Sequence, residues 1–369
     1  MRPCLCPASG GEDTFMLTSD ELKKYAKKEL GIDALGIADI GRFDNAPEFM
    51  HPRRIMPEVK SVIVFTRRIL RGCYRGIERG THWPSYQVFA YAGLTKLIHQ
   101  GNYRLGRFIE DHGFEAVPAP PAATLRESGP RGPVPPGGKY PRNINISLRI
   151  AAVMAGLGEM GWSKVFLSRD FGPRQRLGCI LTDAELEPDP IRVGEICDGC
   201  KCCVRNCPGQ AISRDRAIDF EAGGVKWQCN DLVLGRCKLT HFGLNRTTSP
   251  HFVKSFPGIY IPILEQGNTW VEGWNFGHAL FNALPTYKAF SAYPIAICGA
   301  RGCIISCMNH LEKRRRIRNL FKKPFTAEQP WRLPEKPQKY HEDHHGFVFD
   351  PEHPDDPENG SGNVQSNWY

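Results

Sequence analysis

The sequence predicts an α/β fold followed by a compact cysteine-rich module, on three observations. Strand-like runs at 34–40 and 61–65 alternate with helix-spaced stretches at 19–30 and 86–112. Most of the 14 cysteines crowd between Cys197 and Cys307. The 369 residues leave room for two domains, so a core can form without covalent staples.

The first helix starts at a capping box, Thr18-Ser19-Asp20-Glu21, runs through Leu22, Tyr25, Ala26 and Leu30, and stops at Gly31. Strands are expected at 34–40 and 61–65 because their apolar residues alternate or run continuously. The stretch 86–112 has helical spacing that Gly101 and Gly106 are expected to interrupt. Between Pro118 and Pro141 the chain is dense in proline and glycine, which forbids regular structure and predicts a long loop, either a lid or a linker. Residues 147–157 suit a helix, Gly156, Gly158 and Gly161 break it, and strands follow at 165–167 and 177–182. After Cys307 come Lys313-Arg314-Arg315-Arg316 and Arg318, and roughly the last 35 residues are poor enough in apolar side chains to be extended or disordered. No repeat of fixed period is visible.

The opening MRPCLCPASGGEDTF has neither the apolar core of a signal peptide nor a twin-arginine signature, so the cytoplasm is the expected compartment. The longest apolar runs, at 61–65 and 150–157, fall far short of the roughly 20 residues a membrane span needs, which predicts a soluble protein with no membrane span. In a reducing compartment crowded cysteines favour metal over disulfides. The net charge of +9 suits an acidic electron carrier, suits RNA equally, and serves solubility in any case.

Cys197-x2-Cys200-x2-Cys203-x3-Cys207-Pro208 has the spacing of a bacterial ferredoxin run, in which three thiolates converge on one cubane and the fourth reaches a neighbouring cluster. A compact loop turns those side chains inward, and Pro208 is expected to open the next helix. Structural zinc usually takes two separated cysteine pairs instead. A second group, Cys298-x4-Cys303-x3-Cys307, supplies three more thiols, with Cys229 or Cys237 available as a fourth. By the crossing rule Cys307 completes the set of Cys197, Cys200 and Cys203, while Cys207 joins Cys298, Cys303 and Cys237, which is preferred over Cys229. Two [4Fe-4S] clusters are therefore expected. The four-residue gap and Met308 in place of proline depart from the ferredoxin pattern, so one cluster with structural cysteines stays open. Cys202, off the spacing, and the motifless Cys4, Cys6, Cys73 and Cys179 are expected to be buried or free thiols.

Nearly two hundred residues precede the first motif, more than an electron carrier needs, and they carry a resemblance. The stretches 30–38 (LGIDALGIA), 51–65 (HPRRIMPEVKSVIVF), 155–163 (AGLGEMGWS) and 171–186 (FGPRQRLGCILTDAEL), in this order before the ferredoxin run, resemble the corrinoid-dependent iron–sulfur reductases. That superfamily holds the reductive dehalogenases and the epoxyqueuosine reductases, and the resemblance covers roughly residues 20–310. It implies an α+β nitroreductase-like cobalamin-binding domain followed by a ferredoxin-like double-cluster domain. The implied layout is an extension at 1–17, a corrinoid and substrate domain at 18–192, an iron–sulfur domain at 193–312 with an inserted segment at 238–297, and a basic segment and polar tail at 313–369. No Asp-x-His-x-x-Gly motif occurs, so base-off corrinoid binding is implied.

The implied chemistry needs a proton donor above the corrin. Where epoxyqueuosine reductases place an acidic residue, this sequence has Arg142, so that assignment does not carry over. The dehalogenase branch pairs a tyrosine with a cation that lowers the phenol's pKa; Tyr86 with Arg142 is the best match, and Tyr91, Tyr103 and Tyr140 are rivals. Gly156, Leu157, Gly158, Glu159, Met160, Gly161, Arg174 and Arg176 are the corrinoid or substrate contacts the resemblance implies, with a salt-bridged loop the equal alternative for Glu159, Arg174 and Arg176. Trp270, Trp274 and His278 could wall a substrate pocket or simply pack in the core. The leading expectation is a cytoplasmic reductive dehalogenase-like oxidoreductase, fed by reduced ferredoxin or flavodoxin and acting on a small organic substrate. The alternatives are an epoxyqueuosine reductase-like enzyme acting on tRNA and a non-catalytic electron-transfer protein.

Overall fold

The computed structural model describes residues 16–79, 82–119, 136–138, 144–243, 279 and 296–325. Cys4, Cys6, Tyr140, Arg142, Trp270, Trp274 and His278 lie outside them, as do most of the 118–141 loop, most of the 238–297 segment and the polar tail.

Helix α1 (Ser19–Lys28) begins at the capping box: the Thr18 hydroxyl accepts from the Glu21 amide while the Glu21 carboxylate accepts from the Thr18 amide. Its apolar stripe, Leu22 and Ala26, is buried. Strands β1 (Ala34–Asp39), β2 (Ser61–Arg68), β3 (Ala116–Ala119) and β6 (Gln175–Thr182) form one antiparallel sheet in the order β1-β2-β6-β3. Pro118 sits in β3, the sheet's edge, where a missing amide donor is tolerated.

Residues 61–66 of β2 are all buried, the pattern of a strand covered on both faces. Ile63 and Phe65, with Ile37 and Ile180, pack under α1 and α4 (Gly93–Glu110). Val62 and Val64, with Ala38, Cys179 and Leu181, pack under α5 (Leu148–Met154). The result is a helix–sheet–helix sandwich in which successive side chains of one strand serve opposite cores.

Helix α4 passes through both Gly101 and Gly106, where an interruption was expected. A Cβ on Gly101 would come 2.9 Å from the Phe65 ring, and one on Gly178 of β6 would overlap the same ring. The two glycines thus clear the space for one large side chain, and burying it offsets the roughly 1 kcal/mol a helical glycine costs. Before α4 come α2 (Arg75–Arg79), α3 (Pro84–Tyr86) and a π-helical stretch, Gln87–Ala92. After α5 the chain turns through Gly156 into the hairpin of β4 (Gly158–Met160) and β5 (Phe166–Ser168), matching the expected helix, turn and hairpin.

The remaining described elements are the short α6 (Cys202–Arg205), the hairpin of β7 (Ala217–Ala222) and β8 (Val225–Asn230), α7 (Leu234–His241), a π-helical turn at Arg301–Ile305, and α8 (Ser306–Lys313). Pro208 opens a turn and not the expected helix: the Gln210 amide donates back to the Cys207 carbonyl and Gln210 takes a left-handed φ of 49°, which ends any helical continuation. Among the described residues no helix is long and apolar enough to cross a membrane.

Candidate functional site

The loop that brings in Cys197 hangs on one buried carboxylate. Glu159 of β4 accepts from the backbone amides of Glu195 (2.7 Å), Ile196 (3.1 Å) and Cys197 (2.6 Å). Three charge-assisted bonds to consecutive amides fix the direction in which the loop enters α6. Lys201 then turns left-handed (φ 56°) ahead of Cys202 and Cys203. Arg316 clamps the same loop from outside, its guanidinium donating to the carbonyls of Ile196 and Glu195.

The charged neighbours of Cys307 and of Cys303 define two sets of cysteines, and Cys200 of the first also has Cys202 beside it. Burial pushes the Cys307 thiol far above its ordinary value, and Cys197, Cys203 and Cys200 add to the effect. Cys203 is raised to about 11 by burial and then by Cys197. Burial likewise raises Cys303 far above the usual thiol range, followed by Cys298, Cys237 and Cys207. Cys237, raised to about 11 mainly by burial, has Cys207 as its first charged neighbour. Cys200 and Cys298 are each pushed up to about 12 by burial. One set is thus Cys197, Cys200, Cys203 and Cys307; the other is Cys207, Cys237, Cys298 and Cys303. Cys229, buried on β8, has Lys164, Arg149 and Asp231 as charged neighbours and no cysteine among them.

The two sets interlock. A Cβ on Gly302 would stand 2.7 Å from the Cys207 Cα and 2.8 Å from the Cys203 carbonyl oxygen, so the turn carrying Cys303 lies directly on the segment carrying the first motif. The Cys298 loop is anchored twice: His241 Nε2 accepts from the Ala296 amide at 3.1 Å, and Trp83 Nε1 donates to the Ile297 carbonyl at 3.0 Å. A buried ion pair, Arg301 to Glu78 at 3.0 Å, ties the π-helical turn to α2.

Beside the second set lies a buried aromatic and cationic cluster. Tyr74 and Tyr86 stand 5.1 Å apart between ring centroids, Tyr91 is 6.5 Å from Tyr86, and the Arg176 guanidinium sits 3.7 Å over the Tyr91 ring. Tyr74, Tyr86 and Arg149 all have Cys303 among their charged neighbours. Among the described residues, Arg176 is a cation near Tyr86, while Arg142 lies outside them. Burial raises the Tyr86 phenol well above its ordinary value and Arg176 only partly opposes this, contrary to the lowering expected of a paired cation. The rival Tyr103 is 64% exposed on α4, away from this cluster.

Other expected contacts have structural employment. Gly156 and Leu157 form the turn after α5, their amides donating to Val153 and Ala152, while Gly158, Met160 and Gly161 build the β4–β5 hairpin. Arg174, 1% exposed, donates to the Ile69 carbonyl and to the Asn319 side chain, both at 2.8 Å, which fastens the run after α8. Sequence reasoning missed Arg149, His241 and His310. Cys202, half-buried and bonded by the Arg205 guanidinium at 2.9 Å, forms with Cys200 and His310 a trio of donor atoms within 4.8 Å of one another. His310 is the residue three positions past Cys307 on α8, the i+3 signal that could have found it.

No family model matches the chain. Over 161 residues it is 47% identical to a tetrachloroethene reductive dehalogenase of Desulfitobacterium hafniense, a match that covers 42% of this chain and 24% of that relative. The chain is similar to reductive dehalogenases. A second, from Dehalobacter restrictus, gives the same identity and coverage, and one from Sulfurospirillum multivorans is 38% identical over 86 residues, covering 21% of this chain and 17% of that one. This chain therefore spans about a quarter, or less, of the length of the curated relatives it matches. Among solved structures, a catabolic reductive dehalogenase aligns with 86% of this chain and 41% of its own at 16% identity and TM-score 0.40. Epoxyqueuosine reductase from Bacillus subtilis aligns with 80% of this chain and 82% of its own at 14% identity and TM-score 0.41.

Proposed function

We propose that the chain acts as a reductive dehalogenase-like oxidoreductase that holds two [4Fe-4S] clusters and a corrinoid and reduces a small organic substrate. The observation that carries the reading is the juxtaposition of two sets of four thiols with a buried tyrosine and arginine cluster. In the same reading, 18–192 is the nitroreductase-like corrinoid and substrate domain, and 193–312 the ferredoxin-like one.

The donor sets fit inorganic clusters. Cys200, Cys203, Cys237, Cys298, Cys303 and Cys307, all raised by burial, stay protonated unless cationic iron lets them ionise. Cys197, Cys200, Cys203 and Cys307 would hold the first cluster, and Cys207, Cys237, Cys298 and Cys303 the second, with Cys229 left as a core thiol. A corrinoid, rich in amide acceptors, fits two donors that are buried without a hydrogen-bond partner beside the second set: the Tyr74 hydroxyl and the Arg176 Nη2. When bound, the clusters supply single electrons and the corrinoid supplies the cobalt-centred reduction.

The chain's own residues then have defined tasks. Burial keeps the Tyr86 phenol protonated and so able to give its proton from the hydroxyl oxygen. Arg176, on the same side, stabilises the phenolate left behind. Arg149 places a half-buried cation near Cys303 and Cys237, offsetting the negative charge a thiolate-ligated cluster brings. Glu159 and Arg174 act as builders of the loops that hold the cysteines.

The test is metal analysis with an ultraviolet–visible spectrum on anaerobically purified protein produced with cobalamin supplied. About eight irons and one cobalt per chain are expected for two cubanes and one corrinoid. About four irons removes the second cluster, and iron without cobalt replaces the enzyme reading by an electron-transfer protein.

A further inference from the structure

We infer that the rim around Cys200 is the docking face for an acidic one-electron carrier protein; this rests on the proposed iron–sulfur reading. The turn between two thiols of the first set meets solvent. Asp198 and Gly199, in the turn between Cys197 and Cys200, are exposed, and Cys200 itself is half-buried. In the second set, Cys298 and Cys303 are also half-buried, but the loop and turn that carry them are bonded inward, to Trp83 and His241 and through the Glu78–Arg301 pair.

The solvent-facing rim is basic. Exposed Arg205 stretches across the turn, donating to the Cys200 carbonyl at 3.0 Å and to the Cys202 sulfur. Arg316 lines the opposite side of the loop. The helix that carries Cys307 and His310 ends in the exposed run Lys313, Arg314 and Arg315, and none of these three forms an ion pair among the described residues. Two nearby carboxylates already face basic partners: Asp198 bonds His310 at 2.7 Å, and Glu195 faces Arg169 at 3.9 Å. A positive collar around the exposed edge of one redox centre steers a negatively charged partner and places its donor close. RNA fits less well, because the aromatic ring at this edge, Trp162, is covered by the Lys201 ammonium and offers no open stacking face.

The step is simple in its balance. The reduced carrier loses one electron and is thereby oxidised, the first cluster gains that electron, and no bond or proton moves. The same carrier then leaves, so a moderate, salt-sensitive affinity suits it better than a tight one.

The experiment uses the full-length, cluster-loaded protein and measures its reduction by reduced flavodoxin in a stopped-flow instrument at rising ionic strength. The wild-type rate is expected to fall as salt rises. The triple variant K313E/R314E/R315E is expected to react about tenfold slower at low salt and to lose the salt dependence, while reduction of both proteins by a small viologen radical stays equal. Equal flavodoxin rates with equal salt slopes would overturn the docking face while leaving the cluster reading intact. A variant that loses RNA affinity yet keeps its flavodoxin rate would assign the face to nucleic acid. Protein without iron would overturn the cluster reading and the docking face with it.

Discussion

His241 sits where a single proton changes what holds the second cysteine set. Its Nε2 accepts from the Ala296 amide, so the ring must be neutral with its proton on Nδ1. Burial first, and then Lys238 and Arg176, push its pKa well below the ordinary histidine value. The unfolded chain therefore binds this proton before the folded one does. The stabilisation from the neutral ring is fully present above about pH 6.5 and is lost as pH falls below that toward the folded value, at up to about 1.4 kcal/mol per pH unit. Urea unfolding of the cluster-free protein at pH 7, 6 and 5 should show this slope in the wild type and a flatter one in His241→Gln, which keeps an acceptor but does not titrate. Parallel slopes would show that other groups carry the pH dependence. Glu159 makes the complementary point at the same scale. The family resemblance implied a contact to a bound group for Glu159; its two oxygens bind three amides of a loop 36 to 38 residues further on, a partner that local pattern does not encode.

At the scale of elements, the two π-helical stretches are where the chain departs from regular geometry, and both face the candidate site. Gln87–Ala92 carries Tyr91 just after Tyr86, and Arg301–Ile305 carries Cys303. Such insertions re-aim side chains within a helix and are frequent at functional sites. The second depends on Gly302, which has no room for a Cβ against Cys203 and Cys207. Gly302→Ala is expected to push the turn off the first motif at a cost of about 1–3 kcal/mol. Iron per chain should fall toward half, with far-UV circular dichroism retained. Full iron occupancy would mean that the segments can part without consequence. The elements themselves were largely legible: the capping box, the buried run of β2 and the hairpin after α5 follow from local chemistry. The through-going α4 did not, because what excuses Gly101 is a Phe65 ring on a strand 36 residues earlier. The helix expected after Pro208 failed for a similar reason, since proline's preference for a first helical position yields to the left-handed Gln210 that follows.

For the whole molecule, the feature that matters is the exchange between the cysteine motifs. Each sequence motif contributes three thiols or fewer to its nearer set and sends one across: Cys207 leaves the first motif for the set of Cys237, Cys298 and Cys303, and Cys307 leaves the second for the set of Cys197, Cys200 and Cys203. The crossing rule follows from the spacing of the first motif, whereas no spacing separates Cys237 from Cys229. Arg176, which lies over the Tyr91 ring from a strand 85 residues further on, is a neighbour that local pattern does not encode. An exchange of this kind makes the two sets mutually dependent in position yet separable in ligation, and point variants can tell these apart. Cys307→Ser is expected to deplete the first set and leave the second cluster's electron paramagnetic resonance signal, whereas Cys207→Ser and Cys237→Ser should both deplete the second and spare the first. Cys229→Ser should change neither, since Lys164, Arg149 and Asp231, and no cysteine, surround that thiol. If Cys207→Ser instead removed the first cluster's signal, each motif would be closing on its own cluster. The tyrosine and arginine cluster would then lie beside a centre that takes no thiol from the first motif.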